Sequence, residues 1–233
     1  MAGLPALLTL FIRSKVQETE AWKAAKTASW KEYGSLIKKY WKLFLYLVLL
    51  MAMMNLISHG TQDLYPTFLQ QQRHYSPHQT AVITMISMVG AILGGLFFGY
   101  ISDLWGRKRM MALAVILAIV LIPLWLHEGG ILIIIAGAFG MQFMVQGAWG
   151  IIPAHINELS PGALRGFFPG FAYQTGVLIA SGIAYVEALL AQTMSYAASM
   201  EILAGSVLLI GAVVILVGPE AKGIDMQTGK VEK

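Results

Sequence analysis

Residues 55–67 of this 233-residue chain read NLISHGTQDLYPT. They follow the apolar run YLVLLMAMM, yet Asn, Ser, His, Thr, Gln and Asp occur within nine positions. At about 100° per residue, Asn55, His59, Gln62, Asp63 and Pro66 fall within an arc of about 100°, and Ser58 borders it. Ile57, Thr61 and Leu64 lie opposite. A helix here presents a polar stripe to a bundle interior and an apolar back to lipid or to neighbours. His59 and Asp63 are one turn apart and can touch. An imidazole beside a carboxylate in low dielectric is suited to take up and release a proton. Pro66 has no N–H and can break the helix beside the pair. Hydrogen bonding between neighbouring helices accounts for a lone Asn or Ser. It accounts poorly for His, Gln and Asp on one stripe.

Other polar residues make weaker signals. Gln142 and Gln146 share a face, one turn apart; Tyr173 and Gln174 open a later apolar segment. For each, helix–helix bonding competes with substrate contact. His155 and Asn157 sit near one mouth of the bundle, while Glu187 and Glu201 read as interfacial, near the outer ends of their helices. Gly90, Gly94, Gly95 and Gly99 allow one helix to pack closely on another. The chain has no cysteine, which excludes disulfides and thiolate metal sites. No nucleophile–base pair, metal-ligand set or phosphate loop is present. Neither a metal nor a cofactor is expected, and an enzyme is disfavoured.

These residues need a membrane to give them meaning. The sequence is 57% hydrophobic and 12% charged, against about a quarter charged in a soluble domain. Six segments, 41–72, 79–102, 109–126, 131–152, 168–190 and 196–217, are long enough to span. The expected fold is an all-α, polytopic six-helix bundle over 41–217. Lys and Arg set its orientation. Arg13, Lys15, Lys23, Lys26, Lys31, Lys38, Lys39 and Lys42 precede the first span. Arg107, Lys108 and Arg109 follow the second, Arg165 the fourth, and Lys222, Lys230 and Lys233 the last. Fifteen of the 16 basic residues thus fall on one side, with Arg73 alone opposite. Both ends are expected in the cytoplasm. The net charge of +4 is then a topology signal; the partner is membrane lipid, and nucleic acid is not needed. Residues 13–40 read as a cytoplasmic linker and 218–233 as a cytoplasmic tail. The apolar residues 1–12 read as the remnant of an earlier span.

Three loops carry spacing that points to a family. Gly99, Asp103, Gly106, Arg107, Lys108 and Arg109 form G-x-x-x-D-x-x-G-R-K-R, which resembles the signature loop of the major facilitator superfamily. Leu104 departs from it, standing where the family usually has Arg or Lys. Pro153, Glu158, Pro161, Arg165 and Gly166 form P-x-x-x-x-E-x-x-P-x-x-x-R-G, and Pro219 to Gly223 read PEAKG. Both are similar to later landmarks of that superfamily. The order of the landmarks numbers the six spans 7 to 12 of a twelve-span transporter. The opening stretch fills every fixed position of N-x-x-[ST]-H-x-[ST]-Q-D-x-x-x-T, with Asn55, Ser58, His59, Thr61, Gln62, Asp63 and Thr67. That pattern resembles the signature of monocarboxylate permeases within the sialate:proton symporter family.

The resemblance implies the C-terminal half of a proton-coupled symporter for small organic acids such as lactate or pyruvate. It implies substrate or proton contacts at Asn55, Ser58, His59, Gln62, Asp63 and Thr67; Gln142 and Gln146 join them as candidates on their shared face alone. Gly99, Asp103, Gly106, Arg107, Lys108, Glu158 and Arg165 become a gating region that latches one half to the other. No Arg or Lys lies in a span interior, so His59 is the one candidate cation for a carboxylate. The family's anion-binding arginine is therefore expected in a preceding six-helix half, the partner of this one. Sialic acid or another organic acid or sugar is the near alternative. A non-transporting fragment of a split or truncated gene is the other.

Overall fold

The computed structural model describes residues 30–223, with side chains from position 34 onward. Residues 1–12, most of the 13–40 linker and the end of the tail lie outside the described residues. Nine α-helices are described: α1 (Trp30–Lys39), α2 (Trp41–Gln62), α3 (Tyr65–Gln71), α4 (Pro77–Trp105), α5 (Arg107–Trp125), α6 (Ile131–Leu159), α7 (Phe168–Ala180), α8 (Ile183–Leu190) and α9 (Tyr196–Val217). No strand occurs among the described residues. Six units are long and apolar enough to cross a membrane. Two of them are broken: α2 with α3, and α7 with α8. In hydrocarbon every backbone N–H and C=O must bond within the protein, which is why the spans are helices.

The first break follows from Pro66. Proline donates no hydrogen bond, and its ring collides with the carbonyl four residues earlier. Asp63 still bonds to the His59 carbonyl, at 3.0 Å, but regular helix stops at Gln62 and resumes at Tyr65. The second break lies at Ser181–Gly182. The α4 start is sharper: Ser76 and Gln79 bond reciprocally, 3.2 Å and 3.0 Å, with Pro77 as the first helical residue.

The helix α2 is packed by α7, α9, α6 and α8, whereas α6 holds α4 and α5 together. The α4–α6 contact is backbone against backbone. A Cβ on Gly90 would sit 2.6 Å from the Phe139 carbonyl oxygen, and one on Gly94 2.0 Å from that of Phe143. Gly176 of α7 meets Met51 of α2 in the same way, 2.7 Å from its carbonyl carbon.

Charged loops gather at the two ends. Arg107, Glu158 and Glu220 meet at one; at the other, Arg73 pairs with Glu128 at 2.9 Å and bonds to the Leu126 carbonyl at 2.6 Å. The Gln72 side chain accepts from Ala197 N at 2.9 Å, tying α3 to the α9 start. With 29 residues, α4 is about 43 Å long, enough to join the two ends through a bilayer. Cysteines introduced at the exposed His78 and Trp105 should react with an impermeant thiol reagent from opposite faces of the membrane. Reaction of both from one face would break the threading. The buried Ser102, which donates to the Gly99 carbonyl at 2.7 Å, would be a poor labelling position.

Candidate functional site

The end of α2 carries the candidate site. His59 Nδ1 and Asp63 Oδ2 are 3.0 Å apart, one helical turn from each other. Their side chains are 44% and 41% exposed, so the pair opens outward from the six-helix unit. The helix's other side is packed: Ile57 and Thr61 are fully buried and Leu64 nearly so. The Thr61 hydroxyl donates to the Ile57 carbonyl at 2.9 Å and approaches that of Ser58 at 3.2 Å.

A second cluster adjoins the pair. Gln62 Nε2 donates to Ser58 Oγ at 2.8 Å, and Gln146 Nε2 of α6 donates to the same oxygen at 3.1 Å. Both lone pairs of that oxygen are occupied, so the Ser58 O–H remains a donor for an incoming acceptor. Gln142 Nε2 donates to the Thr61 carbonyl at 3.4 Å. The Gln142 carbonyl oxygen and the Thr84 hydroxyl of α4 are buried and unpartnered. Both residues line a cavity of about 260 Å³, together with Gln62, Asp63, Pro66 and Ser87. Leaving such groups dry costs about 1–3 kcal/mol each. A polar ligand can satisfy them.

Two residues expected at the site stand apart from it. Asn55 is buried and donates to the Met51 carbonyl at 2.8 Å. It lies on the helical stripe, but α7 closes over α2 at the level of Met51 and Gly176. Thr67 lies on α3, beyond the break, and makes none of the cluster's hydrogen bonds. Thr84 and Ser87 were missed; Thr80, Thr84 and Ser87 recur at helical spacing on α4, which was the available signal. Glu187 differs most from expectation. It is fully buried, because α8 turns inward after the Ser181–Gly182 break and meets α2 at Gly60. Glu201 is exposed.

The loop motifs meet at the opposite end of the helices. Arg107 forks onto Glu158, with Nη2 2.8 Å from Oε1 and Nε 3.2 Å from Oε2. Its Nη1 lies 2.5 Å from Asp103 Oδ1 and donates to Ser102 Oγ at 2.8 Å. Glu220 Oε1 caps the α5 N-terminus, accepting from Arg107 N at 2.9 Å and Lys108 N at 3.2 Å. Burial alone would raise the Glu220 carboxyl; the backbone N–H groups of Lys222, Lys108 and Ala221 outweigh it and hold the group below the usual carboxylate range. Gly106 is required twice over. Its φ is +107°, and a Cβ would lie 2.8 Å from Glu220 Oε2. The cations cover helix C-termini, where carbonyls lack partners: Lys108 bonds to the Gly218 carbonyl at 3.0 Å, Lys222 to that of Leu104, and Arg165 to that of Asn157 at 3.0 Å. These contacts all lie within one six-helix unit. Gly99 sits one turn before Asp103, with room for a Cβ 3.7 Å from the Gly150 carbonyl oxygen.

The chain is 33% identical over 211 residues to a Saccharomyces cerevisiae protein described as a carboxylic acid transporter protein homolog, covering 84% of this chain and 34% of that protein. It is 26% identical over 179 residues to the Escherichia coli sialic acid transporter NanX, covering 74% and 43%. It therefore spans less than half the length of either. A crystal structure of a double-tryptophan XylE variant superposes with a TM-score of 0.59 at 16% identity, over 79% of this chain and 46% of that one; it shares the fold. The Major Facilitator Superfamily model matches residues 49–231, covering every span from the middle of α2 onward. With six spans, the three loop motifs joined at one end and that match, the chain belongs to the Major Facilitator Superfamily.

Proposed function

We propose that this chain is the C-terminal half of a proton-coupled symporter for small organic acids, monocarboxylates such as lactate or pyruvate. The carrying observation is the His59–Asp63 pair, set at a broken helix beside a cavity with unsatisfied polar groups. Broken helices at the midplane are where transporters of this kind bind substrate and coupling ion. His59 and Asp63 bind the proton. Ser58, Gln62, Gln142 and Gln146 offer donors and acceptors to the acid, and protonated His59 supplies its positive charge. The transporter lies in the cell membrane with both termini cytoplasmic, and rocks this bundle against a preceding six-helix half. The Arg107–Glu158–Asp103 network holds the cytoplasmic end during that motion.

The carboxylic acid named for the yeast relative supports the substrate class, and the relatives' greater length supports the second half. Sialic acid is the other reading, favoured by the bacterial relative.

Uptake of labelled lactate and labelled sialic acid into proteoliposomes, under an inward proton gradient, tests the proposal. The complete transporter should accumulate lactate in preference to sialic acid. The 233-residue chain alone should not, because the His59–Asp63 pair stays about two-fifths exposed and the chain lacks a span-interior Arg or Lys. Saturable, gradient-dependent uptake by the chain alone, abolished by His59→Ala, would overturn the half-transporter reading.

A further inference from the structure

The one fully buried carboxylate among the described residues is outside the cluster described above. Glu187, on α8, has no exposed surface, and neither of its carboxyl oxygens has a hydrogen-bond partner. It sits where the two broken spans meet. A Cβ on Gly60 of α2 would be 3.7 Å from Glu187 Oε1 and 3.0 Å from Ile183 Cδ1 of the same α8 turn. Gly60 is flanked in sequence by His59 and lies one turn before Leu64, at the α2–α3 break. From α9, the Ser199 hydroxyl donates at 2.7 Å to the Glu187 main-chain carbonyl, which fixes the backbone and leaves the carboxyl unanswered.

A carboxylate anion with no donor, in a dry setting, is the most costly state such a residue can adopt; the neutral acid is far cheaper. On α2, Asp63 follows Gly60 by three residues, about one helical turn. Among the described residues no cation pairs with the Glu187 carboxyl: His59 directs its Nδ1 at Asp63 on the open side, and on α9 Glu201 is exposed. A negative charge on Asp63 and one on Glu187 therefore oppose each other.

We propose that Glu187 is a second proton-binding residue of the transport cycle, distinct from the His59–Asp63 pair and coupled to it across the Gly60 gap. This rests on the proton-symport reading above. In the conformation described, the carboxyl keeps its proton. Movement at the Ser181–Gly182 joint brings water to the group, the O–H bond breaks, and the proton leaves to water while the carboxylate is solvated. Reclosing the joint requires a proton back. The joint thus opens and closes in step with protonation, which a carboxyl on a rigid, exposed helix could not enforce.

Two measurements on Glu187→Gln and Glu187→Asp test this. In the infrared spectrum of the reconstituted chain at about neutral pH, the wild type should show a protonated carboxylic acid band that Glu187→Gln lacks. Identical spectra would overturn the inference. In the complete transporter, Glu187→Gln should fold, since the amide mimics the neutral acid, and should retain exchange of labelled for unlabelled acid. Its gradient-driven accumulation should fall by about tenfold, because the amide cannot lose a proton, and Glu187→Asp should recover part of it. Full accumulation by Glu187→Gln, in a transporter whose wild type responds to the gradient, removes Glu187 alone. A wild type indifferent to the gradient removes the symport reading, and this inference with it.

Discussion

Asp63→Asn is expected to abolish accumulation of lactate driven by a proton gradient while leaving exchange in place. One pH unit is worth about 1.36 kcal/mol per proton. A gradient of about two units can therefore hold a one-proton symporter at about a 100-fold concentration ratio. The asparagine keeps the shape and can still bond to His59, which is 3.0 Å away, but it cannot titrate. Its accumulation ratio should fall toward one. Counterflow, in which labelled acid outside exchanges with unlabelled acid inside, needs binding and the conformational change but no net proton movement, so it should persist. His59→Ala should do worse. It removes both the proton partner and the cation proposed for the carboxylate, so exchange should fail as well. An Asp63→Asn transporter that still concentrates lactate between about pH 5 and 8 would take Asp63 out of the coupling.

The loop motifs bear on that cycle through the end they hold. Arg107 is 13% exposed and Glu158 17%, so the bidentate pair is largely removed from water. Removing one partner from such a pair leaves the other uncompensated, a penalty that exceeds what the pair itself contributes. The network ties the ends of α4, α5 and α6 and the segment after α9 into one plate. A plate that moves as a unit is what rigid-body rocking requires.

Hydropathy was enough to read the six spans, because hydrocarbon leaves the backbone no other option. The stripe on α2 was legible for the same reason: helical period maps directly onto a face. Depth along the helix was not. Asn55 shares the stripe with His59, yet it is buried and donates to the Met51 carbonyl of its own helix. Glu187 shows a second limit. Its place near the outer end of its span suggested an interface, and the Ser181–Gly182 break has no proline to announce it. Pro66 announced the other break in advance. The three loop motifs gave the family by their order, but the way Glu220 caps α5 depends on a residue 113 positions from Arg107 and was invisible until both ends were in place.

The glycines of α4 separate what spacing can say from what packing decides. Gly90, Gly94, Gly95 and Gly99 form one small-residue pattern in the sequence, yet they face different neighbours. A Cβ on Gly94 would lie 2.0 Å from the Phe143 carbonyl oxygen and 2.7 Å from its carbon. These are backbone atoms of α6, which no rotamer change can move. A Cβ on Gly95 would lie 3.6 Å from the Gln146 carbonyl oxygen, and one on Gly99 3.7 Å from that of Gly150, both ordinary contacts. Gly94→Ala must push α4 and α6 apart and loosen the packing along both helices. Overpacking of this kind costs about 1–3 kcal/mol and occasionally more; with backbone on both sides, the upper end or beyond is expected. Gly95→Ala and Gly99→Ala should lie within about 1 kcal/mol of wild type, since alanine is also the better helix former. Thermal unfolding in detergent, followed by the loss of monodisperse protein, orders the three. A Gly94→Ala protein as stable as Gly95→Ala would mean that α4 and α6 are not in backbone contact. The face of α6 carrying Gln142 and Gln146 would then be set by something other than this glycine seam.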